Sequence, residues 1–172
     1  MLERKGLIRF DNKDATIIGE DIKIGQQAPS FKAHLQDWTY LDILKMTRGK
    51  VRIIVSVPSV EMEVCNREIS RFNEEAGNLS KVISILIIST DLPYAQKRYC
   101  ATAGIDQIIV ISDHLKTNFG KKYGCLIKEH RVLRNAVFVI DKKYKIIYAN
   151  YSQNLGDEPD YSEVLETARN AL

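Results

Sequence analysis

Two short runs constrain this chain more than any other feature: Val51–Val57 (VRIIVSV) and Val82–Ser89 (VISILIIS). Each is short and nearly continuous in β-branched apolar residues, the pattern of a strand buried on both faces. Pro58 ends the first, and Thr90 and Asp91 close the second. Strands covered on both faces need layers above and below, and the intervening segments read as helices. In NREISRFNEEAGNL, following Cys65, the residues Ile69, Phe72 and Ala76 recur at three- and four-residue steps with charge between them. That is an amphipathic helix, stopped at Gly77 and Asn78. Asp91 reads as an N-cap and Pro93 as a first-turn residue, so Pro93 to Ala103 is predicted helical up to Gly104. QIIVIS is a third strand, and Ser112-Asp113 can cap a short helix running through Lys122 to a stop at Gly124.

The flanks add hairpins. LIRF-DNKD-ATII has two β-prone runs around a turn rich in Asp, Asn and Lys, and GQQAPSF marks a turn into a short extended piece. AVFVI (Ala136 to Ile140) and KIIYANY (Lys145 to Tyr151) surround the turn DKKY, and Pro159 with Asp160 opens a last helix, YSEVLETARNAL. Strands alternate with helices through the middle, then a hairpin and a helix close the chain. The expected class is α/β, a three-layer sandwich with a mixed central sheet flanked by helices, the thioredoxin-like architecture. Residues 1–172 read as a single domain with residues 1–20 as an N-terminal β-hairpin, without repeats, low-complexity tracts or a dividing linker.

Charge and cysteine usage narrow the function. The net charge is +3, but Lys and Arg are scattered among Asp and Glu, unlike the basic stripe of a nucleic-acid binder. No apolar run approaches the ~18 residues that span a bilayer, so no membrane association is expected. The start, MLERKGLIRF, lacks an apolar core and a cleavage site, which makes a cytoplasmic location the expectation. Three cysteines are too few and too odd for a secreted disulfide framework. In a reducing compartment a cysteine pair is more often transient and catalytic than structural.

Cys65 follows a buried strand and the loop PSVEMEV, and sits in the first turn of the amphipathic helix. Unpaired backbone N–H groups at a helix N-terminus carry partial positive charge and stabilise a thiolate, the nucleophilic form. Position alone leaves Cys65 either a reactive thiol or a small buried hydrophobe. Cys100, in QKRYCATAG on the next helix, could condense with a sulfenic acid on Cys65 if the helices neighbour one another, although helix-borne cysteines would need local unwinding to come within bonding reach. A core cysteine near a helix end is the other reading. Cys125, in YGCLIK, stands where an apolar residue would pack. His34, His114 and His130 form no ligand spacing with any cysteine, so neither a metal nor another cofactor is expected.

The stretch SVPSVEMEVCNREISRFNEEA, then ISTDLPYAQKRYC, GIDQIIVISDHLKTNFGKKYG, NAVFVIDKKYKIIYANY and DEPDYSEVLE, resembles the thiol peroxidase branch of the peroxiredoxins from about Gly25 to the end. The resemblance implies a thioredoxin-like fold, a homodimer, hydroperoxide reduction as an antioxidant activity, and regeneration by thioredoxin or a similar dithiol. It matches Cys65 to the peroxidatic cysteine, Cys100 to the resolving cysteine and Pro58 to the proline that shields the reactive sulfur. Two positions depart. The family's hydroxyl residue, three before the peroxidatic cysteine, falls on Met62, which offers no donor. The family's arginine falls on Asn135, with Arg134 one position earlier, and neighbouring strand residues point to opposite faces unless a bulge intervenes. Glu61 and Glu63 add carboxylates near the sulfur. Cys65 is therefore expected to be less acidic than in ordinary relatives but, at a helix N-terminus, more acidic than a free thiol. Two functions follow: a thiol peroxidase cycling through Cys65 and Cys100, or a redox-responsive or binding protein of the same fold with little peroxidase activity.

Overall fold

A computed structural model describes residues 1–172. Strands β1 (Glu3–Phe10) and β2 (Lys13–Ile18) form the N-terminal hairpin, which turns through Asp11 and Asn12, both at positive φ. Asp and Asn tolerate that region because their short polar side chains bond locally. A small second hairpin, β3 (Lys32–His34) and β4 (Tyr40–Asp42), leads into a one-turn helix, α1 (Ile43–Met46). The chain then alternates: β5 (Val51–Ser56), α2 (Glu63–Ala76), β6 (Ile83–Ser89), α3 (Pro93–Ala103), β7 (Ile109–Ser112) and α4 (Asn118–Lys122). Short strands β8 (Leu126–Ile127) and β9 (Val132–Leu133), the hairpin β10 (Ala136–Ile140) and β11 (Ile146–Tyr151), and helix α5 (Tyr161–Asn170) complete it.

Seven strands make the central sheet in the order β11-β10-β5-β6-β7-β3-β4. The middle three are parallel and the rest antiparallel, so the sheet is mixed. Every residue of β5 and β6 is buried, as their apolar runs require. Successive strand residues face opposite layers. Ile53, Val55, Ile85 and Ile87 join Ile69 and Phe72 of α2 and Val164, Leu165 and Ala168 of α5 in one core. Ile54, Leu86 and Ile88 join Ile43 of α1 with Phe119 and Tyr123 in the other. The α/β sandwich read from the sequence is present.

The N-terminal hairpin does not stand alone. It pairs with β8 to form a second sheet, β1-β2-β8-β9, a pairing the sequence reading lacks. The strands missed there are two or three residues long, too short for a period of two to register. Asp113 caps α4 from a distance, its carboxylate accepting from the backbone N–H of Phe119 (3.1 Å) and Gly120 (2.8 Å).

Candidate active site

Pro58 stops β5, and the following loop delivers Cys65 into the first turn of α2. Asp91 anchors that loop: its carboxylate accepts from Val60 N–H (2.9 Å) and from the hydroxyls of Ser59 (2.8 Å) and Ser89 (2.6 Å). This corrects the sequence reading of Asp91 as a helix cap. Leu92 occupies the N-cap position of α3, with no side-chain cap bond.

Cys65 is wholly buried, in one apolar cluster with Val57, Val60, Tyr99 and Cys100. Burial pushes its thiol up to about 11, and the nearby Glu68 carboxyl adds to this, while the Ser59 backbone and the Asn135 side chain favour the thiolate. The expectation of a thiol more acidic than a free one is therefore overturned. Removal from water penalises the charged form, and it is the largest influence on this sulfur. The carboxylates named from the sequence are turned outward: Glu61 pairs with Arg98 at 3.1 Å, and Glu63, beside Arg67, has a side chain 94% exposed. Glu68 was missed. Its three-residue spacing from Cys65 was the available signal, because such residues share a helix face.

Met62, the N-cap of α2, makes no side-chain cap bond and packs half-buried against the Cys65 cluster. Asn135 is buried and turned toward Cys65 and Glu68; its Nδ2 lies 3.5 Å from Glu68 Oε2, and its Oδ1 accepts from Gly156 N–H at 3.1 Å. Gly156 has φ +93°, and a Cβ there would meet Val64 Cγ1 at 2.9 Å, so a glycine is needed for the loop to reach Asn135. Arg134 goes the other way. Its Nε donates to Gly124 O at 2.9 Å, its guanidinium pairs with Asp21, and it lies 4.0 Å over the Tyr151 ring. Arg134 and Asn135 form the link between β9 and β10, and these contacts hold the Arg134 side chain away from Cys65, so Arg134, named from the sequence as a site neighbour, is placed elsewhere.

Cys100 lies on α3, 7% exposed, and its sulfur accepts from Gln36 Nε2 at 3.3 Å. Gln36 belongs to the β3–β4 turn, where Trp38, at φ 68°, packs edge-on to Tyr94 of α3 with ring centroids 5.0 Å apart. The Tyr99 hydroxyl is buried without a hydrogen-bond partner, and burial together with Cys100 and Cys65 pushes it up to about 12. Asn73 of α2 ties the end of α3 in place: Oδ1 accepts from Asp106 N–H (3.1 Å) and Gln107 N–H (2.8 Å), and Nδ2 donates to Gly104 O (3.4 Å). All three cysteines are free thiols. Cys125 is wholly buried on the opposite face of the sheet, in the other core, and burial pushes it up to about 12.

Residues 23–165 match the family model described as Redoxin. The thiol peroxidase of Oceanobacillus iheyensis is 43% identical, with 92% of this chain and 95% of that protein covered. The thiol peroxidase of Bacillus subtilis is 39% identical, with 94% and 96% covered. Among solved structures, a peroxiredoxin-like protein from Aquifex aeolicus superposes with a TM-score of 0.87 at 30% identity, covering 98% of each chain. A buried cysteine opening a helix beyond a central strand, and a second on the next helix, thus sit in a sequence that aligns end to end with these proteins: the chain belongs to the redoxin family, in the thiol peroxidase branch of the peroxiredoxins.

Proposed function

We propose that this chain, as a single domain of residues 1–172, reduces hydrogen peroxide or an organic hydroperoxide through Cys65. The observation that carries the reading is that Cys65 and Cys100 lie on consecutive helices in one buried cluster, while Cys125 is across the sheet. The Cys65 thiolate attacks one peroxide oxygen, the O–O bond breaks, and the other oxygen leaves as water or an alcohol. The resulting sulfenic acid condenses with the Cys100 thiol, releasing water and forming a disulfide. A dithiol of the thioredoxin type then exchanges with the disulfide and restores both thiols. Pro58, buried where β5 ends, shields the sulfur. The scheme needs no cofactor or metal. A homodimer and a cytoplasmic location complete the proposal; no helix is long and apolar enough to cross a membrane.

Peptide mapping after one equivalent of peroxide should find Cys65 linked to Cys100 within a chain, with Cys125 still open to alkylation after denaturation. A dominant link to Cys125 would remove Cys100 from the scheme. Cys100→Ser should stop at the sulfenic acid and overoxidise more readily.

The disulfide also has a built-in reporter. In the proposed cycle α3 unwinds around Cys100 to bring the two sulfurs to bonding distance, which breaks the Gln36 contact to Cys100. Trp38 is the sole tryptophan and rests on Tyr94 of the same helix. Its emission should therefore shift on oxidation in the parent protein and stay unchanged in Cys100→Ser; equal shifts in both would detach the turn from disulfide formation.

A specific observation favours the second reading, a redox-responsive protein with weak peroxidase activity: the Cys65 thiol is raised to about 11, beside Met62 and Asn135. Stopped-flow oxidation of Cys65 by peroxide separates the two. A rate no faster than that of a free thiol favours the second.

A further inference from the structure

We propose that Glu68 is the proton relay of Cys65 oxidation, its carboxyl taking the thiol proton and giving it to the oxygen that leaves when the peroxide bond breaks. The inference rests on the peroxidase reading and adds a residue that the resemblance did not supply.

Glu68 is 2% exposed. A buried carboxylate is ordinarily paired with a cation, yet no cation reaches this one. Arg71, a turn further along α2, pairs with Glu75 at 2.9 Å and lies over the Tyr161 ring at 5.6 Å. The hydrogen-bond partner of Glu68 is the neutral amide of Asn135, at 3.5 Å. The ionisable groups facing it are Cys65 on its own helix, Glu158 in the loop before α5 and Tyr161 on α5; Asp91 faces Cys65 from the far side. None is positive. Burial pushes the Glu68 carboxyl up to about 8, Glu158 adds to this, and Asn135 opposes it.

Such a carboxyl exchanges a proton near neutral pH, whereas the neighbouring sulfur, raised to about 11, holds its own. Cys65 and Glu68 share a helix face, and the Asn135 amide donates to Glu68 and favours the Cys65 thiolate. With no hydroxyl at Met62 and no charge at Asn135, Glu68 is the acid–base group available to the sulfur.

The reactive form carries one proton on the Cys65–Glu68 pair. When the proton moves to the carboxylate, the thiolate attacks the nearer peroxide oxygen. The S–O bond forms as the O–O bond breaks, so sulfur loses two electrons and the peroxide gains them. The leaving oxygen takes the proton from Glu68 and departs as water or an alcohol. Sulfenic acid and carboxylate remain, and no proton has crossed to solvent.

The test compares two reactions of Cys65 by stopped flow. Peroxide needs a proton at its leaving oxygen, whereas iodoacetamide releases iodide and needs only the thiolate. In the parent protein, peroxide oxidation should accelerate as pH rises through about 8. Glu68→Gln should abolish that rise and slow oxidation about 100-fold, a usual scale for a lost acid–base group. Alkylation should become faster, because a negative charge beside the thiolate has gone. Acceleration of both reactions would overturn the relay and leave Glu68 a repelling charge. Slowing of both would overturn it in favour of a scaffold role. Should Glu68→Gln fail to fold, Glu68→Asp decides: a slower rate that keeps the rise near pH 8 supports the relay, and a flat profile overturns it. A parent protein that alkylates but ignores peroxide would overturn the peroxidase reading itself.

Discussion

Met62→Thr combined with Asn135→Arg should speed the reaction of Cys65 with peroxide at least about 100-fold, the scale of one preorganised donor. Asn135 already faces the sulfur, so an arginine there brings a guanidinium to the thiolate and an ion partner to Glu68. An opposite charge at that range lowers a thiol by about one to three pKa units. Met62 is an N-cap without a cap bond; threonine would supply one and offer a hydroxyl to the peroxide. Both changes act on the same transition state, so together they should exceed the product of their separate effects. The structure also sets a cost, because Gly156 N–H loses its acceptor on Asn135, about 1 kcal/mol of stability. Stopped-flow rates and thiolate absorbance against pH measure both effects. An unaltered rate would mean that these two positions do not limit the sulfur.

Arg134→Met should cost roughly 3 kcal/mol of stability, from an unpaired buried carbonyl and a lost cation–π contact, while leaving the Cys65 rate unchanged. The Arg134 side chain is 5% exposed, and it joins Gly124, Asp21 and Tyr151. Asp21 is 43% exposed, so its ion pair adds little. Burial pushes the Asp21 carboxyl up, but Arg4 and Arg134 together pull it below its ordinary value. That part of the stability is present above the usual carboxylate range and fades as pH falls through the lowered value. Urea unfolding at neutral and acid pH reads both quantities. A collapse in peroxide reactivity at unchanged stability would return Arg134 to the site.

What could be read from the residues followed their periodicity. VRIIVSV and VISILIIS declared the buried centre of the sheet, and Ile69, Phe72 and Ala76 declared α2, because burial on two faces or one leaves a repeating mark. Leu126–Ile127 and Val132–Leu133 left none, so the second sheet was invisible. Arg134 and Asn135 do point apart, as strand alternation suggested, but they lie in the link between β9 and β10, and their own partners, Asp21 and Gly124 for one and Glu68 and Gly156 for the other, set their directions. The acidity of Cys65 did not follow. The helix end is written in local sequence, but desolvation comes from Val57, Val60 and Tyr99, brought from other elements. Asp91 illustrates the same gap: its local pattern fits a cap, yet the Ser59–Val60 loop outcompetes the helix for its carboxylate.

The three hydrogen bonds of Asn73 to residues Gly104, Asp106 and Gln107 bear on how much oxidant the protein survives. They brace the turn after α3; in the proposed cycle that turn opens before Cys100 reaches Cys65, so the brace should prolong the wait of a sulfenic acid on Cys65. During that wait a second peroxide molecule competes with Cys100, and its product, the sulfinic acid, is not recovered by thiols. Under the proposed cycle the strength of this brace should set a dose threshold: sparse peroxide is turned over through the disulfide, and a surge retires the enzyme. Loosening the brace at Asn73 should then raise the threshold without touching either sulfur.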